Sequence, residues 1–191
     1  MTRTRIILLI LLLLDADVVI DLHRLGIWDR ITKTHQVYIP SIILHREAYY
    51  YADTSGRRYP ICLDDQIGKT IHEIACSAEE LLSFSENFDS AFQTEIHDGE
   101  KEALILLSKE ERFRFCTCDK SAIKSLALLG LADRGISFER MLKATGLFSK
   151  KLEYRQTEDY FKRWVKEGSI MKIQGRGIKQ VKSKKSKGHR D

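Results

Sequence analysis

A chain of 191 residues and 22.1 kDa has room for one domain with a sizeable core, and its 43% hydrophobic and 31% charged residues are ordinary for a globular protein. Four cysteines, at 62, 76, 116 and 118, are too few and too scattered for a disulfide framework or a zinc site, which leaves reduced core thiols. The net charge of +5 is uneven: residues 176–191 carry seven basic side chains against Asp191 alone, so the rest of the chain is nearly neutral and attracts polyanions only weakly.

In chain order, Arg5–Leu14 reads as a strand. Its nine consecutive aliphatic residues, Ile6 to Leu14, follow Arg3 and Arg5 and imitate a secretory leader. No small-residue cleavage site follows, however, and a membrane span needs about 20 apolar residues. A parallel strand covered by helices on both faces accounts for the same run. The expectation is a cytoplasmic protein with no membrane partner. Val18–Leu25 and Ile27–Thr34 read as helices either side of Gly26. Val37–Ile39 is a short strand, after which Pro40-Ser41 opens a helix from Ile42 to about Tyr51, with Ser41 as its N-cap. Residues 53–61 have the composition of a surface loop or small ribbon. Apolar residues at 67, 71, 74, 75, 78, 81 and 82 keep a helical period and predict one amphipathic helix over Asp65–Phe84.

A short helix at Phe88–Phe92 precedes a longer one at Asp98–Ser108. Phe113–Cys118 is the next strand, Lys120–Leu129 the next helix, and Ile136–Phe138 a strand before the helix Glu139–Thr145. Further on, Thr157–Glu167 aligns Tyr160, Phe161, Trp164 and Val165 on one helical stripe, and Ile170–Ile173 reads as a strand. Strands alternating with helices over short links predict an α/β fold, a three-layer α/β/α sandwich around a mainly parallel sheet. The expected organisation is a domain at 1–147, a helix-and-strand extension at 148–175, and a basic tail at 176–191 whose Ser/Lys/Gly composition argues for disorder.

Acidic residues gather where these elements meet. Asp15 and Asp17 follow the first strand, Glu47 lies in the helix after the second, Asp98, Glu100 and Glu102 open another helix, and Asp119 follows the strand Phe113–Cys118. In a parallel sheet the carboxyl ends of the strands form the ligand-binding edge. Carboxylates brought together there repel one another unless a divalent cation sits among them. Glu102 directly precedes the apolar run Ala103–Leu107 and is preferred as the third acid. Spacing alone leaves Asp98 and Glu100 open. Taken singly, these residues also suit helix starts, where caps and the helix dipole favour acids.

The segments Leu14-Asp15-Ala16-Asp17, Ile39-Pro40-Ser41 with Glu47, Gly99-Glu100-Lys101-Glu102-Ala103, and Thr117-Cys118-Asp119 with Leu129-Gly130-Leu131 resemble, in that order, the four elements of the PIN-domain family of small metal-dependent ribonucleases. The likeness covers residues from about 6 to 147. It implies a four-acid site of Asp15, Glu47, Glu102 and Asp119 holding Mg2+ or Mn2+, with Asp17, Asp98 and Glu100 as lesser contributors. It also implies a toxin-type nuclease that cuts RNA, is held by a protein antitoxin or inhibitor, and forms a homodimer. Asp17 departs from the neutral residue usual there, and residues 57–93 exceed what small family members need.

On this reading, water activated by the metal hydrolyses an RNA phosphodiester. Arg57 and Arg58, with Lys182, Lys184, Lys185 and Lys187 of the tail, are the candidate phosphate contacts. A non-catalytic RNA- or protein-binding module and a structure-specific DNA nuclease are the alternatives. The histidines at 23, 35, 45, 72 and 97 have no pairing suited to a metal or a catalytic dyad, and no nucleophile elbow or phosphate loop is present.

Overall fold

The computed structural model describes residues 10–147 and 151–179. Its first strand, β1 (Leu11–Leu14), leads into α1 (Ala16–Arg24), α2 (Trp28–Thr34) and β2 (Gln36–Pro40). A π-helical turn at Ile43–Glu47 is followed by a two-stranded antiparallel ribbon, β3 (Tyr50–Ala52) and β4 (Arg58–Pro60). Next come β5 (Ile71–Ile74), α3 (Ala78–Ser85), α4 (Ser90–Gln93) and α5 (Asp98–Lys109). The chain continues through β6 (Phe113–Cys116), α6 (Lys120–Leu129), β7 (Gly135–Ile136), α7 (Phe138–Ala144) and α8 (Glu158–Ile173).

Five strands form one parallel sheet in the order β5-β2-β1-β6-β7. Alternation along β1 divides the core. Leu12 and Leu14 join Val18, Val19, Leu22, Ile31, Met141 and Leu142, which places α1, α2 and α7 on one face. Leu13 joins Ala103, Leu104, Leu107, Ile123, Leu126 and Phe161, which places α5, α6 and α8 on the other. The predicted three-layer α/β/α architecture is therefore the observed one. It also explains the unbroken leucine run, because a strand covered on both faces has no wet side on which to place polar residues.

Three expectations about elements are corrected. The helix predicted over Asp65–Phe84 is instead a tight turn at Asp64–Gln66, the edge strand β5, and α3. The chain turns at Gly68, and α3 starts afresh at Ser77, which forms a reciprocal capping box with Glu80. The helix predicted from Ile42 stops at Glu47, and Tyr50–Ala52 enters the ribbon. The strand predicted at Ile170–Ile173 is the last turn of α8. Gly168 does not break that helix; it lets α8 lie directly on α6, where a Cβ would stand 2.5 Å from the Lys124 carbonyl oxygen. The residues of 151–179 are thus packed on the body. Residues 5–9 of the predicted first strand, and the tail from 180 onward, lie outside the described residues. Among the described residues no helix is long and apolar enough to cross a membrane.

Candidate active site

Chain order runs outward from β1 to β2 and β5, then returns to β6 on the other side of β1. The switch point of this sheet is the crevice at the carboxyl ends of β1 and β6, where open α/β sheets bind ligands. Asp15 leaves β1 there, and its backbone N–H still donates to the carbonyl of Cys116 at the end of β6 (3.1 Å). Asp119 stands three residues past β6 as the N-cap of α6, accepting from the N–H groups of Ser121 (2.6 Å) and Ala122 (3.1 Å).

Thr117 joins the two acids. Its hydroxyl donates to Asp15 Oδ2 at 2.5 Å and accepts from the Asp119 backbone N–H at 3.0 Å. A threonine that could have been a plain strand residue is therefore a positioning group. Its Thr-x-Asp spacing was the signal for it.

Of the acids on α5, Glu100 is the one that lies beside Asp15 and Asp119. It caps its own helix by accepting from His97 N–H (3.1 Å), and the Ser121 hydroxyl reaches the same carboxylate at 3.4 Å. Burial pushes its carboxyl up to about 9, and the neighbouring charges of Asp15, Asp119 and Glu47 act in the same direction. Asp15 is pushed up to about 7, again chiefly by burial; the charges of Asp17 and Asp119 push the same way, and the Thr117 and Ala16 hydrogen bonds oppose them. Glu47 is raised by burial and held back by the Gly99 N–H and by His97. Asp15 and Glu100, at 3% and 5% exposure, are carboxylates taken out of water next to other carboxylates.

Glu102, preferred from the sequence, is not part of this group. It is 2% exposed, and its two carboxylate oxygens accept from the N–H groups of Ile42 (2.8 Å) and Cys76 (3.1 Å). Those residues lie just past β2 and β5, so Glu102 clamps the ends of two neighbouring strands. Asp98 is exposed and paired with Lys101 at 2.9 Å. Asp17 meets Arg155 at 3.3 Å, and the same guanidinium binds the buried Asp21 at 2.9 Å. Asp21 also accepts from Arg24 and Gln156, which fixes the segment before α8 to α1. Nothing in the sequence linked Arg155 to Asp21, 134 residues away. Arg57 and Arg58 lie on the ribbon, whereas Lys182, Lys184, Lys185 and Lys187 fall outside the described residues.

No family model, curated protein or solved structure matches the chain. What the site does is therefore argued from its own chemistry. Among the described residues, no Lys or Arg pairs with Asp15, Glu47, Glu100 or Asp119. Nor does any group of three or more His, Cys, Asp or Glu side chains there form a ready ligand shell, because each carboxylate is turned onto a backbone N–H or a hydroxyl. Cys116 and Cys118 are buried, and burial drives both thiols well above their ordinary range. The donors at this edge are accordingly hard oxygens, the type that suits magnesium or manganese rather than zinc.

Gly99 brings α5 against Glu47. A Cβ there would stand 2.7 Å from Glu47 Oε2, 2.8 Å from Oε1 and 2.7 Å from Ile43 Cγ1. Gly99→Ala must therefore displace the Glu47 carboxylate or the π-turn beneath it. The expected outcome is a stability loss of about 1–3 kcal/mol in urea.

Proposed function

We propose that this protein is a divalent-metal-dependent endoribonuclease of the PIN type, acting in the cytoplasm. One observation carries the proposal: buried carboxylates that no cation of the described chain neutralises converge on the switch point of a parallel sheet. Asp15, Glu100 and Asp119 would hold Mg2+ or Mn2+, with Glu47 at the margin. Bound there, the metal supplies an activated water and neutralises charge on the phosphorane-like transition state. The protein's own groups set the geometry. Thr117 fixes Asp15 relative to Asp119, the α6 N-terminus holds Asp119, and the His97 N–H holds Glu100. The four cysteines are all free, as a reducing compartment keeps them. A protein antitoxin and a second copy of the chain are the partners that the family resemblance suggests.

The carboxylates turned onto backbone N–H groups and hydroxyls, with no ready ligand group among the described residues, favour a second reading, a non-catalytic RNA- or protein-binding module of the same fold. Asp119→Asn separates the two, since asparagine caps α6 as well as aspartate does. Magnesium-dependent cleavage of RNA by the wild type, lost in Asp119→Asn with unchanged circular dichroism, is the result expected of the enzyme. Cleavage persisting at the wild-type rate rejects the site. A panel of RNA and DNA substrates decides between ribonuclease and DNA nuclease.

A further inference from the structure

The sheet edge opposite the acids carries charge of the other sign. At the amino ends of β1, β6 and β7 a cavity of about 630 Å3 opens beside α7, within the size range of small-molecule sites. Ile10, Leu11, Ile136 and Ala144 give it an aliphatic wall. Buried His35 holds that wall: its ring accepts from the Ile10 N–H at 3.3 Å and meets the Thr145 hydroxyl at 3.0 Å, which ties the approach to β1 to the end of α7. Arg114 projects from an interior face. Phe113 and Phe115 join the core under α5, α6 and α8, and Cys116 joins the other, so alternation turns Arg114 toward α7 beside the fully buried Leu12. Its Nη1 donates to the carbonyls of Glu111 and Phe113 at 3.2 and 2.9 Å. Its Nε and Nη2 donate to nothing, and no carboxylate pairs with it among the described residues. Arg140 lines the cavity from α7, and its guanidinium likewise has no hydrogen bond or ion pair there.

We infer that this cavity binds a small organic anion, its phosphate or carboxylate head held between Arg114 and Arg140 and its aliphatic body lying on Ile136 and Ala144. A half-buried cation without a partner is costly until a counter-charge arrives, and the local acids do not supply one. Arg112 takes Glu110 in a fork at 2.9 and 2.8 Å, while Asp133 stands exposed at the mouth and forms no ion pair among the described residues. The segment before Ile10 brings Arg3 and Arg5 and no acid. Guanidiniums fork onto phosphate and carboxylate heads, and an apolar wall beside a few such groups is how small-molecule sites are built. Inorganic phosphate alone would leave the aliphatic wall uncovered. Among the described residues that line the cavity there is no aromatic ring on which a nucleobase could stack. The site lies at the far edge of the sheet from Asp15 and Asp119, so it stands independently of the nuclease reading.

The test is isothermal titration calorimetry on the full chain in EDTA, with hexyl phosphate, hexanoate, inorganic phosphate and hexanol as probes. Hexyl phosphate or hexanoate is expected to bind roughly tenfold or more tightly than inorganic phosphate, because its chain leaves water. Hexanol, which has the body without the charge, should not bind. Tighter binding of one of the two anions names the head group, and failure of both overturns the site. Arg140→Gln is expected to weaken the better anion roughly 10- to 100-fold. Ala144→Leu keeps a good helix former and fills the cavity, so it should bring that anion down to the affinity of inorganic phosphate. Asp119→Asn, at the acidic edge, should bind like the wild type. Wild-type affinity in either cavity variant, or a loss in Asp119→Asn equal to that in Arg140→Gln, overturns the site. Should Arg140→Gln lower the melting temperature, Ala144→Leu decides by the same comparison.

Discussion

Asp15→Asn is expected to make the metal-free protein more stable above neutral pH while reducing the proposed magnesium-dependent cleavage about a thousandfold or more, the several kcal/mol of barrier that a metal centre supplies. The sign follows from burial. In the unfolded chain Asp15 ionises near 3.8, whereas in the folded protein burial and the adjacent acids push it up to about 7. Between those values the native state holds a proton that the unfolded state has released, so stability falls as pH rises through the window. Glu100, pushed up to about 9, extends the fall beyond neutrality. The wild type in EDTA should therefore melt progressively lower from about pH 5 to pH 9. Asparagine removes the first part of that slope and should raise the melting temperature at pH 8 by roughly 3–10 °C, corresponding to about 1–3 kcal/mol for a chain of this size. Manganese favours the ionised acids, so its stabilisation of the wild type should grow with pH and vanish in Asp15→Asn. Scanning calorimetry across pH, with and without metal, checks all three. A melting temperature that climbs with pH in EDTA, together with no manganese response, would sink the site.

Much of the fold could be read from single segments because burial writes itself into them. Leu11–Leu14 has no polar residue since β1 has no wet face, and Lys120–Leu129 is bounded by a capping Asp119 and a left-handed Gly130. Residues 65–84 misled because a half-buried edge strand followed by a helix happens to keep a helical apolar period, a known ambiguity of short runs. The Ser77/Glu80 box was present and marks the true helix start. The ribbon was legible only as turn composition; that Tyr51 and Tyr59 stack ring to ring depends on register, which no single strand contains. Arg155 shows the limit most plainly. Its partners Asp17 and Asp21 lie on α1, and only the docking of the C-terminal segment brings them within reach.

The structure turns Glu102 away from Asp15 and Asp119, and the reason yields the second large prediction. Glu102 was preferred because it borders the apolar run, but α5 is buried nearly all round, with Gly99, Glu100 and Glu102 to Leu107 all inside. On such a helix core proximity does not discriminate, and the partners decide. Glu102 gives both oxygens to backbone N–H groups at the ends of β2 and β5. Glutamine there turns an amide donor toward one of those N–H groups, so Glu102→Gln should cost about 2–3 kcal/mol, and Glu102→Ala more, with the metal response retained in the folded fraction. Glu100→Gln should do the reverse. Its remaining carbonyl oxygen can still accept from His97 N–H, so the cap survives, while one of the mutually repelling charges disappears. The metal-free protein should become more stable by about 1–3 kcal/mol at pH 8, and manganese-dependent stabilisation and RNA cleavage should both be lost. Urea titrations with and without manganese thus give opposite signs for two glutamates two residues apart. Retention of the manganese response in Glu100→Gln, with its loss in Glu102→Gln, would return the third position to Glu102 and show that the carboxylate facing Asp15 and Asp119 is not the one that holds the ion.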